Sequence, residues 1–271
     1  MSEYTIDELM AWTMALQARE DDVIVVGVAT PLAVAAALLA RELVAPGITV
    51  IAAATVDPAL HDIGRAMVEP GMLDSMGVGT LAQTEILDQI QRGRITLQYI
   101  SPAQVDGMGR LNTSRIAAGN GWRRLPGGLA TGDIAVLMGR LVAYRASHRV
   151  RFLPERVDFV TGAGHELTED DRTERKLPGS GVAAIITDEA VLEWREGGFV
   201  VASRHASGTA ESIAHGCGFA LDIPAPLPVT AAPPAEALDL LRNRIDPHGI
   251  RRLEIHSMRP AAIAALAALR P

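Results

Sequence analysis

The N-terminal part of the chain alternates between two kinds of apolar run. Residues Ile6–Arg19 carry apolar side chains at helical spacing, and "DDVIVVGVAT" then gives a short continuous apolar run ending at Gly27. Such a run reads as a strand buried on both faces. "PLAVAAALLARELV" reads as a helix opening on Pro31, where a missing N–H costs nothing. "APG" breaks it, and Ile48–Ala54, "ITVIAAA", reads as a second buried strand. This β–α–β order with short turns predicts an α/β fold: an open, mostly parallel sheet with helices on both faces.

Further along, Leu81–Arg92 has helical spacing, "ITLQYIS" alternates as a strand, and "DGMGRLN" is a glycine-rich turn into another strand. "WRRLPGGLATGDIAVL" places a Pro-Gly-Gly loop ahead of a helix, and "LVAYRAS" and "RVDFVTG" read as short strands. "GHELTEDDRTERKLPGSG" is polar and charged, a surface loop, whereas "VAAIITDEAVLEWREGGFVVAS" reads as a hairpin. "GTAESIAHGCG" is a short helix stopped by glycine. Pro-rich "IPAPLPVTAAPP" is a linker or a lapping segment before the last two helices, "AEALDLLRNRI" and "PAAIAALAALR". No repeat or low-complexity tract interrupts the chain. It reads as one domain over 1–271 with a helical tail from about 234.

Composition narrows the function classes. At 271 residues and 48% hydrophobic content the chain can bury one large core or two small ones. Its net charge of −7, with no basic patch, argues against nucleic acid as a partner. Lys176 is the only lysine, which excludes a lysine-based phosphate loop or Schiff base elsewhere. Cys217 is the only cysteine, so no internal disulfide forms, as suits a reducing compartment. The acidic start "MSEYTIDELM" lacks the apolar core of a signal peptide, and the longest apolar run, Leu32–Ala40, is too short to span a bilayer. The expectation is a cytoplasmic protein that does not engage a membrane.

Few side-chain constellations survive inspection. The seven histidines, at 61, 148, 165, 205, 215, 248 and 256, never pair at metal-ligand spacing, so they read as surface or locally bonded groups and no metal is expected. "GAGHEL" has Leu167 where a dinucleotide fingerprint needs its third glycine. "LPGSG" has Pro178 where a nucleophile elbow needs glycine before Ser180. Cys217 and His215 sit two residues apart and point in different directions, so Cys217 reads as a small core residue. The loops "SPAQVDGMGRLN" and "LPGGLATGD" present backbone N–H groups beside small side chains. They suit a carbonyl oxygen or a pyrophosphate held by main-chain donors, or are ordinary tight turns.

The order of these pieces carries a resemblance. "VVGVATPLAVAAALLARELVAPGITVI", "ISPAQVDGMGRLNTSRI", "LPGGLATGDIA", "ERVDFVTGAG", "GVAAIITDEAVLEW", "GFALDI" and "RNRIDPHGIR" follow one another as in the β subunit of family I CoA-transferases, the glutaconate CoA-transferase type, over residues 5–250. The resemblance implies an open α/β subunit that pairs with a homologous α-like subunit in a heterodimer or heterotetramer. It further implies an acyl-CoA bound at the interface and no cofactor beyond the coenzyme A of the substrate. In the transferases a glutamate just after the second strand attacks the thioester and becomes a glutamyl-CoA. In "VIAAATVDP" that position falls at Ala53, or at Ala52 or Ala54 with a small shift, and Asp57 comes too late. Glu69 and Glu85 lie in or near the following helix and do not replace it.

The resemblance extends to β subunits of ring-opening hydrolases of steroid catabolism, which lack this glutamate and cleave a carbon–carbon bond while the thioester stays intact. The expected function is therefore a hydrolase or lyase subunit acting on a β-dicarbonyl acyl-CoA. The alternatives are a true CoA-transferase whose nucleophile comes from elsewhere, and a non-catalytic partner of an active α subunit. The expected contribution of this chain is backbone N–H groups around Ala103–Gln104 and Gly127–Gly128, holding a thioester or enolate oxygen. Arg123 and Arg124 either neutralise a substrate carboxylate or CoA phosphate, or form a solvated pair.

Overall fold

The computed structural model describes residues 3–27, 30–59, 62–69, 71–195 and 197–270. Along the chain run α1 (Ile6–Ala15), β1 (Val23–Val26), α2 (Pro31–Leu43), β2 (Thr49–Ala52), β3 (Thr55–Val56), α3 (Ile63–Val68), α4 (Met72–Ser75), β4 (Gly79–Thr80), α5 (Gln83–Gln91) and β5 (Leu97–Ile100). They are followed by β6 (Gln104–Val105), β7 (Leu111–Asn112), β8 (Arg115–Ala118), β9 (Gly121–Arg124), α6 (Thr131–Leu137), β10 (Arg140–Tyr144), α7 (Glu169–Glu174), β11 (Val182–Ile186), β12 (Ala190–Arg195) and β13 (Gly198–Arg204). Helices α8 (Ala210–His215), α9 (Ala235–Leu240) and α10 (Arg259–Ala268) close the series. Where the sequence reads as one domain, the contacts gather into two compact units, one of Met1–Gln89, Leu97–Tyr99 and Ala231–Pro271 and one of Ile90–Thr96 and Ile100–Thr230. The C-terminal tail thus returns to the N-terminal unit.

In the first unit β1 pairs in parallel with β2 and β5, and β3 and β4 extend the sheet antiparallel at its edge. The expected α/β fold holds, with parallel strands at the centre. Its strands are apolar on both faces, with Ile24, Val26, Val50 and Ile51 all buried. Helix α2 is nearly all alanine and leucine on its buried side, and small side chains let α1 approach closely through Met10, Ala11 and Met14. The first turn of α2 receives a cap from the tail, Leu32 N–H donating to Glu254 Oε1 at 2.8 Å.

A buried ionic cluster ties the two ends of this unit together. Arg251, 2% exposed in its side chain, sets Nε 2.7 Å from Asp7 Oδ2, Nη1 2.9 Å from Asp246 Oδ2 and Nη2 3.3 Å from Glu8 Oε1. Arg242 donates to both oxygens of Glu8, and Arg252 Nε donates to Asp7 at 3.1 Å. Burial alone would raise the Glu8 carboxyl, but hydrogen bonds from Arg242 and from Thr5 N–H, with the charges of Arg251 and Arg242, hold it at about 2. Asp246 goes the other way: its burial outweighs the Arg251 charge and the N–H groups of Arg251 and Ile250.

In the second unit β10 and β11 are parallel, while β11, β12 and β13 form an antiparallel meander. The Pro-rich segment laps the edge strand β13, through bridges Val200↔Asp222 and Arg204↔Val229. That cover shields an edge otherwise open to foreign strands. Beneath it, His205 Nε2–H donates to the Thr187 carbonyl at 3.0 Å and His148 Nε2–H to the Ile213 carbonyl at 2.9 Å. Burial pushes the His205 imidazole down to about 4.

Four segments depart from the pattern, the first being the hairpin expected over 182–203, which is the three-stranded meander β11–β13 because the chain turns back twice. "RVDFVTG" is not a strand, because its polar atoms are spent on side-chain contacts: Val157 N–H goes to Asp106 Oδ2 and Asp158 N–H to Gln104 Oε1. The loop expected over 165–180 contains helix α7, nucleated by a capping box in which Thr168 and Asp171 bond each other's backbone. The second strand stops at Ala52 and turns back at once into β3. No helix among the described residues is long and apolar enough to cross a membrane.

Two outcomes follow from this packing. Arg251→Ala leaves buried carboxylates without their cation and should cost about 3–5 kcal/mol in urea unfolding. His205 is neutral when buried, so stability should be flat above its unfolded value of 6.5 and fall by a few kcal/mol as pH drops from there towards about 4. Urea titrations from pH 8 to about pH 4 test this, with His205→Gln giving a shallower slope.

Candidate functional site

The end of β2 is built by a two-residue turn. Ala52 pairs with Thr55, so Ala53 and Ala54 form the tip. Ala53 adopts φ 57°, a left-handed conformation unfavourable for alanine, and its N–H donates to the Val26 carbonyl at 3.2 Å. Asp57 offers no substitute carboxylate: Oδ1 accepts the Val50 N–H at 2.7 Å and faces Arg41 Nη1 at 3.6 Å. Glu69 pairs with Arg65, and Glu85 Oε2 accepts the Ala82 N–H of its own helix start. The tip residue itself is half-buried and apolar.

In the second unit a polar hub organises the glycine loops. Asn112, fully buried, donates through Nδ2 to Gln104 Oε1 and to the Arg115 carbonyl, both at 2.7 Å, and its Oδ1 accepts the N–H groups of Ser114 and Arg115. Gln104 donates to Asp158 Oδ2 at 3.1 Å, and the same oxygen accepts Ala117 N–H at 2.9 Å. The side chain of Gln104 is therefore committed to the fold. The N–H of Ala103 is committed too, to the Asn112 carbonyl at 2.9 Å, so the expectation of a free donor there fails. Asn112, Ser114 and Thr161 carry this geometry and were not singled out by sequence; the polar run "LNTSR" between apolar stretches was the one available sign.

The hairpin β8–β9 projects from the hub. Arg115 lies 4.5 Å from the Trp122 ring and 4.4 Å from the Phe159 ring, which fixes the hairpin's direction through cation–π contacts. Arg123 and Arg124 sit on β9, exposed and without an ion pair among the described residues. The loop after them turns on Gly127, whose φ of 117° only glycine adopts readily and whose N–H donates to the Thr113 carbonyl at 3.2 Å. Gly127 thus contributes conformation and not a donor. The N–H of Gly128 has no partner among the described residues, and its carbonyl accepts Thr131 N–H at 2.7 Å at the start of α6. Of the main-chain donors expected around Ala103–Gln104 and Gly127–Gly128, Gly128 is the one shown unspent.

The remaining candidates are structural. Burial pushes the Cys217 thiol up to about 12, which leaves it protonated. Ser180 Oγ donates to the Gly139 carbonyl at 2.6 Å. His165 stacks on Trp194 at 3.7 Å, His215 Nδ1 bonds the Glu211 carbonyl, and His248 meets Asp62 at 3.2 Å. His61 lies outside the described residues. Among the described residues no group of three or more His, Cys, Asp or Glu side chains could hold a metal ion.

No family model matches the chain. It is 32% identical to the β-type subunit of the 3-oxoadipate CoA-transferase of Pseudomonas knackmussii over 256 residues, covering 89% of this chain and 94% of that one. It is 24% identical to the β-type subunit of the glutaconate CoA-transferase of Acidaminococcus fermentans over 255 residues, 91% of this chain and 94% of that one. Among solved structures it resembles the decarboxylase AibA/AibB, with TM-score 0.79 and 27% identity over 93% of this chain and 99% of that one. Rhodococcus jostii RHA1 IpdAB shares the fold, with TM-score 0.79 at 20% identity over 94% of this chain and 99% of that one.

The half-exposed tip gives a stability test. In Ala53→Glu the new carboxylate reaches water, so the variant should lose less than about 1 kcal/mol in urea unfolding. A loss of several kcal/mol would place the tip in a closed apolar interior.

Proposed function

The chain belongs to the family I CoA-transferases as a subunit of the β type, and from that premise we propose that it serves carbon–carbon cleavage of an acyl-CoA and not CoA transfer. The observation that carries this reading is Ala53. The resemblance puts the nucleophilic carboxylate there, and the tip carries alanine, with Asp57, Glu69 and Glu85 each tied elsewhere. Without a carboxylate this chain forms no glutamyl-CoA. The likeness to a decarboxylase on the same fold, at 27% identity, supports cleavage of a carbon–carbon bond.

The chemistry in this reading is that of a β-dicarbonyl-type thioester. Loss of CO₂, or addition of water to the β-carbonyl and rupture of the adjacent bond, leaves the electron pair as an enolate on the thioester oxygen. A proton then quenches it at carbon. The acid/base group comes from an α-like partner in a heterodimer or heterotetramer. This chain supplies the Gly128 N–H to the developing oxyanion, a role in which losing a donor slows turnover about 100-fold or more. Arg123 and Arg124 are exposed, without an ion pair among the described residues, and suit a substrate carboxylate or a CoA phosphate. Coenzyme A enters as part of the substrate, no other cofactor takes part, and the enzyme works in the cytoplasm.

A second reading, true CoA transfer with the nucleophile supplied elsewhere, is favoured by the 32% identity to a subunit of a 3-oxoadipate CoA-transferase. A non-catalytic β half supporting an active α subunit is the third. The co-purified complex, given a 3-oxoacyl-CoA and an isotopically labelled free acid, separates them. The expected products keep their thioester and change their carbon skeleton, with no label entering the CoA ester. Label in the thioester would establish transfer. Gly128→Val, where a Cβ already meets Thr161 Cγ2 at 3.1 Å, should lower turnover at least about 100-fold while the protein still unfolds cooperatively. Full activity in that variant would return this chain to a supporting role.

A further inference from the structure

The hydroxyl pair beside the Gly128 loop has a hydrogen left over. Ser114 Oγ and Thr161 Oγ1 lie 2.8 Å apart, so one of their two hydroxyl hydrogens is spent between them. Thr161 Oγ1 already accepts the Thr113 N–H at 3.1 Å. Neither oxygen has a further acceptor among the described residues. Whichever of the two donates, the other's hydrogen has no acceptor among the described residues. With Thr161 as the donor of the pair, the Ser114 O–H is the one left without an acceptor among the described residues.

The backbone of Ser114 is fixed at both ends. Its N–H donates to Asn112 Oδ1 at 3.1 Å, and its carbonyl accepts Leu125 N–H at 2.9 Å. Its hydroxyl faces the glycine loop: a Cβ built on Gly128 would stand 3.8 Å from Ser114 Oγ. Gly128 has an unspent N–H of its own, and the absence of a side chain there leaves the space open. Two donors without an acceptor among the described residues, Ser114 O–H and Gly128 N–H, therefore belong to neighbouring half-buried residues. Arg123 and Arg124, without ion pairs among the described residues, lie a few positions before it in the chain and add positive charge.

Such a site recognises an acceptor oxygen with no hydrogen to offer, and it repels an ammonium group or a cation. We propose that Ser114 O–H and Gly128 N–H together form a two-donor cradle for the thioester oxygen of an acyl-CoA, and that Thr161 is a positioning residue that turns the Ser114 hydrogen towards it. This rests on the acyl-CoA reading above and adds a side-chain donor to it. The pairing explains why the loop carries glycine at 128: a side chain there would fill the space between the two donors. Ser114 would touch the reacting atom, whereas Thr161 acts only through Ser114.

The test compares two ligands that differ in one oxygen. Butyryl-CoA has the thioester carbonyl, and S-butyl-CoA replaces it with a methylene. Calorimetric titration of the full chain, alone and with its α-like partner, should give tighter binding of butyryl-CoA to the native protein. Ser114→Ala should weaken butyryl-CoA about tenfold and leave S-butyl-CoA unchanged. Thr161→Val should reproduce part of that loss, and Thr161→Ser should restore it, which a purely structural threonine would not do. Thermal unfolding of each variant checks that it folds. If Ser114→Ala weakens both ligands equally, or neither, the cradle is refuted while the acyl-CoA reading stands. If the native protein binds neither ligand in either form, the acyl-CoA reading itself falls.

Discussion

Arg251 is a cation with almost no access to water, and the first unit is organised around keeping it satisfied. A guanidinium so placed is strongly unfavourable unless carboxylates surround it with good geometry. Asp7 and Glu8 come from the first helix, and Asp246 comes from the tail more than two hundred residues later. The requirement fixes α1 against the tail segment Ile250–Glu254, and the tail in turn caps α2 through Glu254. With α1 and α2 seated, the parallel strands β1 and β2 have a covered face.

The second unit uses neutral polar atoms for the same purpose. Asn112 uses both of its amide hydrogens and accepts two N–H groups, Gln104 links it to Asp158, and the hairpin and glycine loops hang from them. The buried amide of Asn112 is stiff, because any displacement orphans a donor or acceptor. That stiffness is what an oxygen-binding loop needs: donors must be in place before charge develops. The consequence is that most polar groups near the loop serve the scaffold. The N–H groups of Ala103 and Gly127 are consumed, and Gly128 and the Ser114–Thr161 pair keep hydrogens to give.

Much of this was legible in the chain. The apolar runs in "DDVIVVGVAT" and Ile48–Ala54 announced buried parallel strands, and the resemblance put alanine where the transferases carry a glutamate. The order of the glycine loops carried the family, which the relatives bear out. Helix α7 escaped because its acidic, polar composition resembles a loop, although Thr168 and Asp171 stand at capping-box spacing. "RVDFVTG" alternates like a strand, yet Asp158 is there to accept hydrogen bonds from residues more than forty positions away. The Asn112 hub and the Arg251 cluster share that obstacle. Both depend on partners that only the folded topology brings together, and no local spacing rule reports them.

In the proposed reading this subunit holds an acyl-CoA without ever forming a covalent bond to it. Treating the complex with an acyl-CoA, reducing with borohydride and mapping the peptides of this chain by mass spectrometry tests it most directly. Every carboxylate of the chain should be recovered unreduced, with the Ala53 peptide unchanged. A reduced glutamate or aspartate anywhere in this chain, dependent on the acyl-CoA, would reveal a thioester intermediate and contradict it.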